Sequence, residues 1–378
     1  AGKIDPDEIK WHIPRKKINA IALLDTLISR NGKNLDDWEP LNQQYKQVRK
    51  ELLRLYDLQK QGGWQTLEAS KKSYRLGDSS MAIQQLQKRL HMAGDYQSTE
   101  ISPVFTPALE EAVKRAQQRF GLKADGIVGS QTVKHLNISI EKRIEQLLVN
   151  MERMRWMPQH REGKRLVANI PEFKLHVYED GKEMFTMRIV VGKAANRTVV
   201  FNDQLKHVVF SPYWNVPRSI VRNEILPAMN KNPGYLSRNN MEQTGTSGGL
   251  PVIRQKPGSG NALGKVKFIF PNSYNIYFHD TPAKSLFDQA KRAFSHGCIR
   301  LQEPKKLAAY LLQDQPGWTE SRITAAMNAG IEKWVALEQP VAVAITYFTA
   351  WVDRSGKLNF RDDIYGHDRE LAERLFAD

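Results

Sequence analysis

Apolar positions in residues 1–66 recur at three- and four-residue spacing. Ile18, Ile21, Ala22 and the stretch Asp25 to Ile28 open one such stripe, and Tyr45, Val48, Leu52 and Leu55 carry a second. Positions so spaced share one face of a helix, so residues 1–66 read as a helical scaffold with Asn31-Gly32 as a turn inside it. Residues 67–138 keep the helical period with sharper punctuation. Ile83, Leu86 and Leu90 mark one helix, and Leu109, Val113, Ala116 and Phe120 mark a second. A short third helix runs through Val133 and Leu136. Thr106 is placed to cap the second helix and Pro107 to occupy its first position, while Gly94-Asp95 and Asp125-Gly126 form glycine corners. The prediction is a small three-helix module. Ile140, Ile144, Leu147, Leu148, Met151 and Met154 then predict a connecting helix within 139–164.

From residue 165 the period changes from helical to alternating. Leu166 to Ile170, Lys174 to Tyr178 and Met184 to Val191 read as strands, with Asp180-Gly181 as a tight hairpin turn. Further strands are predicted at Lys206 to Phe210, Lys265 to Phe270, Tyr274 to His279 and Val341 to Val352. Helices fall near 219–230, 284–293, 304–313 and 319–329. The chain is therefore a multidomain α+β protein: a helical scaffold, a three-helix module, a mostly-β domain over 165–350 and a C-terminal tail over 351–378. Thr244 to Gly249, the run Thr-Gly-Thr-Ser-Gly-Gly, reads as a flexible joint within 232–256. It is either a natural mobile loop or an engineered replacement for a longer insertion.

The length of 378 residues allows two or three domains, each with its own core. No run of eighteen apolar residues is present, so no membrane span or tether is visible in the sequence. A net charge of +15 points to an acidic partner such as nucleic acid, anionic lipid or an acidic wall polymer. The basic residues are dispersed, with only short clusters at Arg15-Lys16-Lys17 and Lys305-Lys306, and no nucleic-acid-binding motif accompanies them. The histidines are scattered without metal-ligand spacing, so neither a metal nor another cofactor is expected.

Cys298 is the sole cysteine, which excludes an intramolecular disulfide and a multi-sulfur metal site. It lies in Ser295-His296-Gly297-Cys298-Ile299-Arg300-Leu301. A glycine beside a thiol leaves room for a substrate backbone, and a nearby imidazole supplies a base; together they describe a reactive cysteine rather than a buried filler. His279 ends an alternating segment in which Tyr277 and His279 project to one face and Ile276 and Phe278 to the other. A histidine at such a place is either a satisfied structural residue or the base, and the thiol that follows favours the base.

Residues His279-Asp280-Thr281-Pro282 and Phe294 to Leu301, together with Tyr213 to Pro217, Ile253-Arg254-Gln255 and Asn261 to Gly264, resemble the signature of the L,D-transpeptidases. The three-helix module resembles the peptidoglycan-binding domain of bacterial wall enzymes. The arrangement as a whole resembles the large enterobacterial members of the transpeptidase family. The resemblance implies a periplasmic or cell-envelope protein acting on peptidoglycan stem peptides. It implies that His279 takes the proton of Cys298, so that the sulfhydryl is ionised and attacks a tetrapeptide stem carbonyl, releasing D-alanine. A diaminopimelate amine then resolves the acyl-enzyme into a 3→3 cross-link. The amides of Gly297 and Cys298 are the expected oxyanion donors, with Tyr277 as an added donor. A backbone carbonyl near Asp280 is expected to orient the imidazole. Ser295 and His296 shape the substrate pocket. Arg300 either holds a substrate carboxylate or packs structurally, and Trp214 forms a pocket wall or core position. Acylation of Cys298 by carbapenems is implied, as is a lid over the site; here it would fall near 232–256, shortened and interrupted by the run at 244–249, a departure from the family's pattern. The rival readings are a cysteine hydrolase of the L,D-carboxypeptidase type and a non-catalytic wall-binding protein.

Overall fold

The computed structural model describes residues 3–9, 11–13, 20–29, 31, 43–157 and 162–377. They divide into two compact units, one formed by 1–160 with 347–378 and the other by 161–346. Ile18, Gly32 and the Arg15-Lys16-Lys17 cluster lie outside the described residues.

In the helical unit, Gln43–Lys60 forms an 18-residue helix whose stripe of Tyr45, Val48, Leu52 and Leu55 is buried. Ile21 and Ile28, on the helix Ala20–Ser29, are exposed instead. The three-helix module consists of Met81–Met92, Pro107–Arg119 and Ser130–Leu136. Thr106 accepts a hydrogen bond from the Leu109 N–H and Pro107 takes the first helical position, because proline's missing N–H costs nothing there. Ile140–Trp156 follows and contributes Ile140, Ile144, Leu147, Met151 and Met154 to the same core.

The structure divides the C-terminal region differently from the sequence reading. Residues 351–378 are not a separate tail. Ala350–Val352 and Leu358–Phe360 pair as a hairpin, and Ala350, Val352, Leu358 and Phe360 join the core of the helical unit. The strand expected over Val341 to Val352 is accordingly broken: one strand ends at Thr346, where the chain leaves the β-rich unit.

The β-rich unit is built on strands β1 (Lys164–Asn169), β2 (Lys174–Glu179), β3 (Lys182–Gly192), β4 (Phe201–Phe210), β5 (Trp214–Asn215), β6 (Met241–Ser247), β7 (Leu250–Gln255), β8 (Val266–Ile269), β9 (Phe278–His279), β10 (Ala293–Ser295), β11 (Ile299–Leu301) and β12 (Lys333–Thr346). The order β10-β3-β11-β9-β8-β4-β12-β1-β2, with β2 also paired to β3, closes eight of these strands into a barrel and leaves β10 alongside β3. Closure removes the unpaired edges that an open sheet would present. The interior is filled by alternating residues such as Leu166, Leu175, Val177, Ile189, Phe268, Phe278, Ile299 and Leu301, all fully buried. Asp180 and Gly181 both adopt positive φ, the backbone that a two-residue hairpin between twisted strands requires.

Three local readings are corrected. The segment Tyr274 to Ile276 is not strand, because Asn275 takes a positive φ and the Asn272 side chain captures the N–H groups of Tyr274 and Ile276. Side-chain capture competes with ladder pairing, so only Phe278–His279 is strand. The helix expected over 284–293 is a short 3-10 turn, Lys284–Asp288. Residues 244–249 are no open joint. β6 and β7 pair across them, with Ser247 opposite Leu250 and Gly248-Gly249, both at positive φ, as the turn. These strands and β5 form a small sheet, which packs with the segment 218–238 around Val216, Ile220, Val221, Ile225 and Ile253.

Candidate active site

β10 and β11 bracket the turn His296-Gly297-Cys298. Gly297 has φ +124°, a backbone that a residue with a Cβ rarely adopts. Ser295 is buried, and its hydroxyl donates to the Cys298 carbonyl at 2.5 Å while accepting from the Gly297 N–H at 3.1 Å. Thr198 donates to the Gly297 carbonyl at 2.8 Å and accepts from the Gly192 N–H at 2.9 Å. Two buried hydroxyls thus hold the turn from either side.

Register places the reactive groups. β11 runs parallel to β9 with Ile299 opposite Phe278 and Arg300 opposite His279. Paired residues share a face, and so do residues two apart along a strand. Arg300 and His279 therefore lie on one face, Cys298 and Tyr277 precede them on it, and Ile299 and Phe278 fill the barrel behind. The Cys298 thiol donates to the Asn275 carbonyl at 3.4 Å and is hydrogen-bonded by the Tyr277 side chain. The rings of Tyr277 and His279 lie 5.7 Å apart.

His279 is buried, and its Nδ1 donates to the Asp280 carbonyl at 2.5 Å. A carbonyl only accepts, so the proton sits on Nδ1 and Nε2 carries the lone pair. The Asp280 carboxylate does not touch the ring. It accepts from the Lys265 N–H at 2.9 Å and from Lys284 Nζ at 2.6 Å. Gly264 makes that placement possible: a Cβ there would stand 2.4 Å from the Asp280 Cγ.

The electrostatics correct the expectation of an ionised sulfhydryl. Burial pushes the Cys298 thiol above its ordinary value, although hydrogen bonds from Tyr277 and the charge of Arg300 pull the other way. Burial and Arg300 together press His279 down to about 3. Both shifts favour the neutral form: at the sulfur desolvation outweighs the Tyr277 hydrogen bonds and the Arg300 charge, and at the ring desolvation and Arg300 act together. Arg300 favours a thiolate and disfavours an imidazolium. The face suits proton transfer concerted with attack rather than a stored ion pair.

Three family models align with this architecture. Residues 163–323 match the L,D-transpeptidase catalytic domain. Residues 79–136 match the family described as "Putative peptidoglycan binding domain", and residues 1–52 match a "Scaffold domain". The chain is 33% identical over 262 residues to a "Putative L,D-transpeptidase" of Haemophilus influenzae, covering 64% of this chain and 53% of that protein. It thus spans about half the length of this curated relative. Among solved structures it is similar to an L,D-transpeptidase from Stackebrandtia nassauensis, at 15% identity and TM-score 0.30, covering 74% of this chain and 97% of that one. Mycobacterium tuberculosis L,D-transpeptidase 1 matches at 16% identity and TM-score 0.24, covering 49% of this chain and 62% of that one.

Within the region that matches this domain the remaining sequence-predicted residues fall in different roles. The Gly297 N–H is not available to an oxyanion, being taken by Ser295; the same bracing that fixes the turn consumes this donor. The Cys298 N–H has no partner among the described residues. Ser295 faces into the loop rather than toward a pocket. Arg300 is half-buried, and its Nε has no hydrogen-bond partner. His296 is exposed, with Nε2 2.8 Å from Glu224. Trp214 packs against the small sheet's apolar cluster rather than joining Cys298 and His279. Sequence reading missed Thr198, Asn275 and Glu224. Asn275 alone carried a signal, since asparagine is one of few residues that tolerate a positive φ. Among the described residues no group of three or more His, Cys, Asp or Glu side chains is arranged to hold a metal ion, and no helix is long and apolar enough to cross a membrane.

Proposed function

We propose that this chain is a peptidoglycan L,D-transpeptidase of the cell envelope, with Cys298 as nucleophile and His279 as base. The observation that carries this reading is the shared face of Cys298, Tyr277, His279 and Arg300, with Nε2 of His279 left as the acceptor. The Cys298 sulfur attacks the carbonyl before the terminal D-alanine of a tetrapeptide stem as its proton passes to His279. The C–N bond breaks, and D-alanine leaves with a proton returned by the imidazole. The thioester is resolved by a diaminopimelate amine, giving a 3→3 cross-link. The unpartnered Cys298 N–H is the donor for the oxyanion, and Arg300 steadies the thiolate that forms. The match to a peptidoglycan-binding family supports the helical module as the wall anchor, and the order of scaffold, module and catalytic domain supports a likeness to the large enterobacterial members. A strained lactam carbonyl imitates the scissile amide, so carbapenems acylate Cys298.

The test is incubation of the intact chain with a disaccharide-tetrapeptide, with products identified by mass spectrometry. Dimers joined by 3→3 links are expected, and Cys298→Ala abolishes them. Tripeptide alone would identify a hydrolase. Absence of any product and of any carbapenem adduct would overturn the enzymatic reading and leave a wall-binding protein.

A further inference from the structure

The second half of the proposed reaction moves a second proton, from an acceptor that arrives from solvent. An amine attacking a thioester must lose a proton. His279, the base for the thiol, is buried at 4% exposure.

A second histidine stands where the acceptor would arrive. His296 lies two residues before Cys298 on the exposed side of the turn, and its Nε2 is 2.8 Å from Glu224 Oε1. Both side chains remain open to solvent, at 38% and 53% exposure. Nε2 is the ring nitrogen beside Glu224, and Nδ1 has no partner among the described residues. This is the relation of a base to its orienting carboxylate. Glu224 comes from the segment 218–238 that packs on the small sheet, and it lies inside a single π-helical turn, Val221–Ile225. Such turns are rare and concentrate at functional sites, because they re-aim a side chain at the expense of regular helix geometry.

We propose that His296, oriented by Glu224, is the base for the acceptor amine, and that the Glu224 carboxylate draws the cationic acceptor to the thioester. The inference rests on the transpeptidase reading above. The acceptor ammonium first loses one proton to solvent, and the free amine attacks the thioester carbonyl carbon. The C–N bond forms, the C–S bond breaks with its electron pair leaving on the Cys298 sulfur, and the amine proton passes to His296 Nδ1. Return of that proton to the sulfur restores the thiol and neutral imidazole. His296 is the catalytic residue in this step, and Glu224 is a positioning residue.

The experiment follows two readouts on the intact chain: the rate of carbapenem adduct formation by mass spectrometry, and the ratio of 3→3 dimer to hydrolysed tripeptide with a tetrapeptide donor and excess tripeptide acceptor. His296→Gln is expected to depress dimer formation at least tenfold more than adduct formation, since a positioned general base contributes roughly 10²- to 10⁴-fold. Glu224→Gln is expected to shift the product ratio toward hydrolysis by about fivefold, as loss of a solvent-exposed ion pair implies, and Glu224→Asp to recover most of it. An equal fall of both readouts would identify a structural clasp and overturn the proposal, as would an unchanged product ratio in either variant or a Glu224→Asp ratio no better than that of Glu224→Gln. Failure of the parent chain to form any adduct or dimer would instead sink the transpeptidase reading itself.

Discussion

His176 is the point at which closure of the barrel can be tested by charge. It sits on β2, opposite Thr186 of β3, in the pairing that closes the barrel. Its Nε2 is 2.8 Å from Glu172 and its Nδ1 3.0 Å from Glu183. Burial opposes the charged imidazole, but the two carboxylates outweigh it and hold the ring at about 9, against an ordinary 6.5. A ring charged more readily in the folded state stabilises it fully below pH 6.5, and that stability is lost as pH rises through 9. The difference corresponds to about 3 kcal/mol between pH 5 and 6, somewhat less at pH 7 and almost nothing at pH 10. His176→Gln keeps a hydrogen-bonding side chain and removes the charge. For a unit of this size each kcal/mol moves the melting temperature by roughly 2–4 °C, so the variant should melt about 5–10 °C lower at pH 7 and match the parent at pH 10. Thermal unfolding followed by circular dichroism across that range is the assay. A gap that stays constant between pH 7 and 10 would show that the ring acts by shape and hydrogen bonding alone, and the electrostatic argument would fail.

The remaining predictions concern the nucleophile and its supports. Because burial raises the Cys298 thiol, its alkylation rate by iodoacetamide should climb through pH 9 without a plateau between pH 5 and 7; a low-pH plateau would reveal a stored thiolate–imidazolium pair. Ser295→Ala leaves the Gly297 N–H without its acceptor. It should cost about 1–3 kcal/mol in thermal unfolding and slow carbapenem adduct formation, and a parent-like rate would show that the turn holds without this brace. Gly264→Ala forces a Cβ to within 2.4 Å of Asp280 Cγ at a φ of +62°. It should destabilise by about 2 kcal/mol or more and impair adduct formation through the Asp280 carbonyl that orients His279, and parent-like melting and acylation would refute that link.

Much of this was legible without coordinates, for reasons that can be stated residue by residue. The three-helix module announced itself because its signals are local: Thr106 and Pro107 act on the backbone beside them, and a helical stripe needs only neighbours along the chain. The early strands were equally plain, since alternation and the Asp180-Gly181 turn lie within a few residues of each other. Legibility failed where a side-chain capture or a strand pairing overrides the pattern of the residues involved. Asn272 breaks the expected strand by capturing the N–H groups of Tyr274 and Ile276. The glycine-rich run at 244–249 looked like a flexible joint because composition carries no record of the partner strand across it.

The sequence by itself determined which atoms can do chemistry: a single thiol, a histidine at a strand end, and a glycine at a turn whose backbone favours one. Those are properties of residue type and short spacing. Tertiary structure decided how they are used. Pairing of β9 with β11 put Cys298, Tyr277, His279 and Arg300 on one face, and desolvation there favours the neutral thiol and the neutral imidazole. Thr198 joined the turn from 99 residues away. Hydrogen-bond partners and desolvation depend on which distant segments pack together, and no local pattern encodes that.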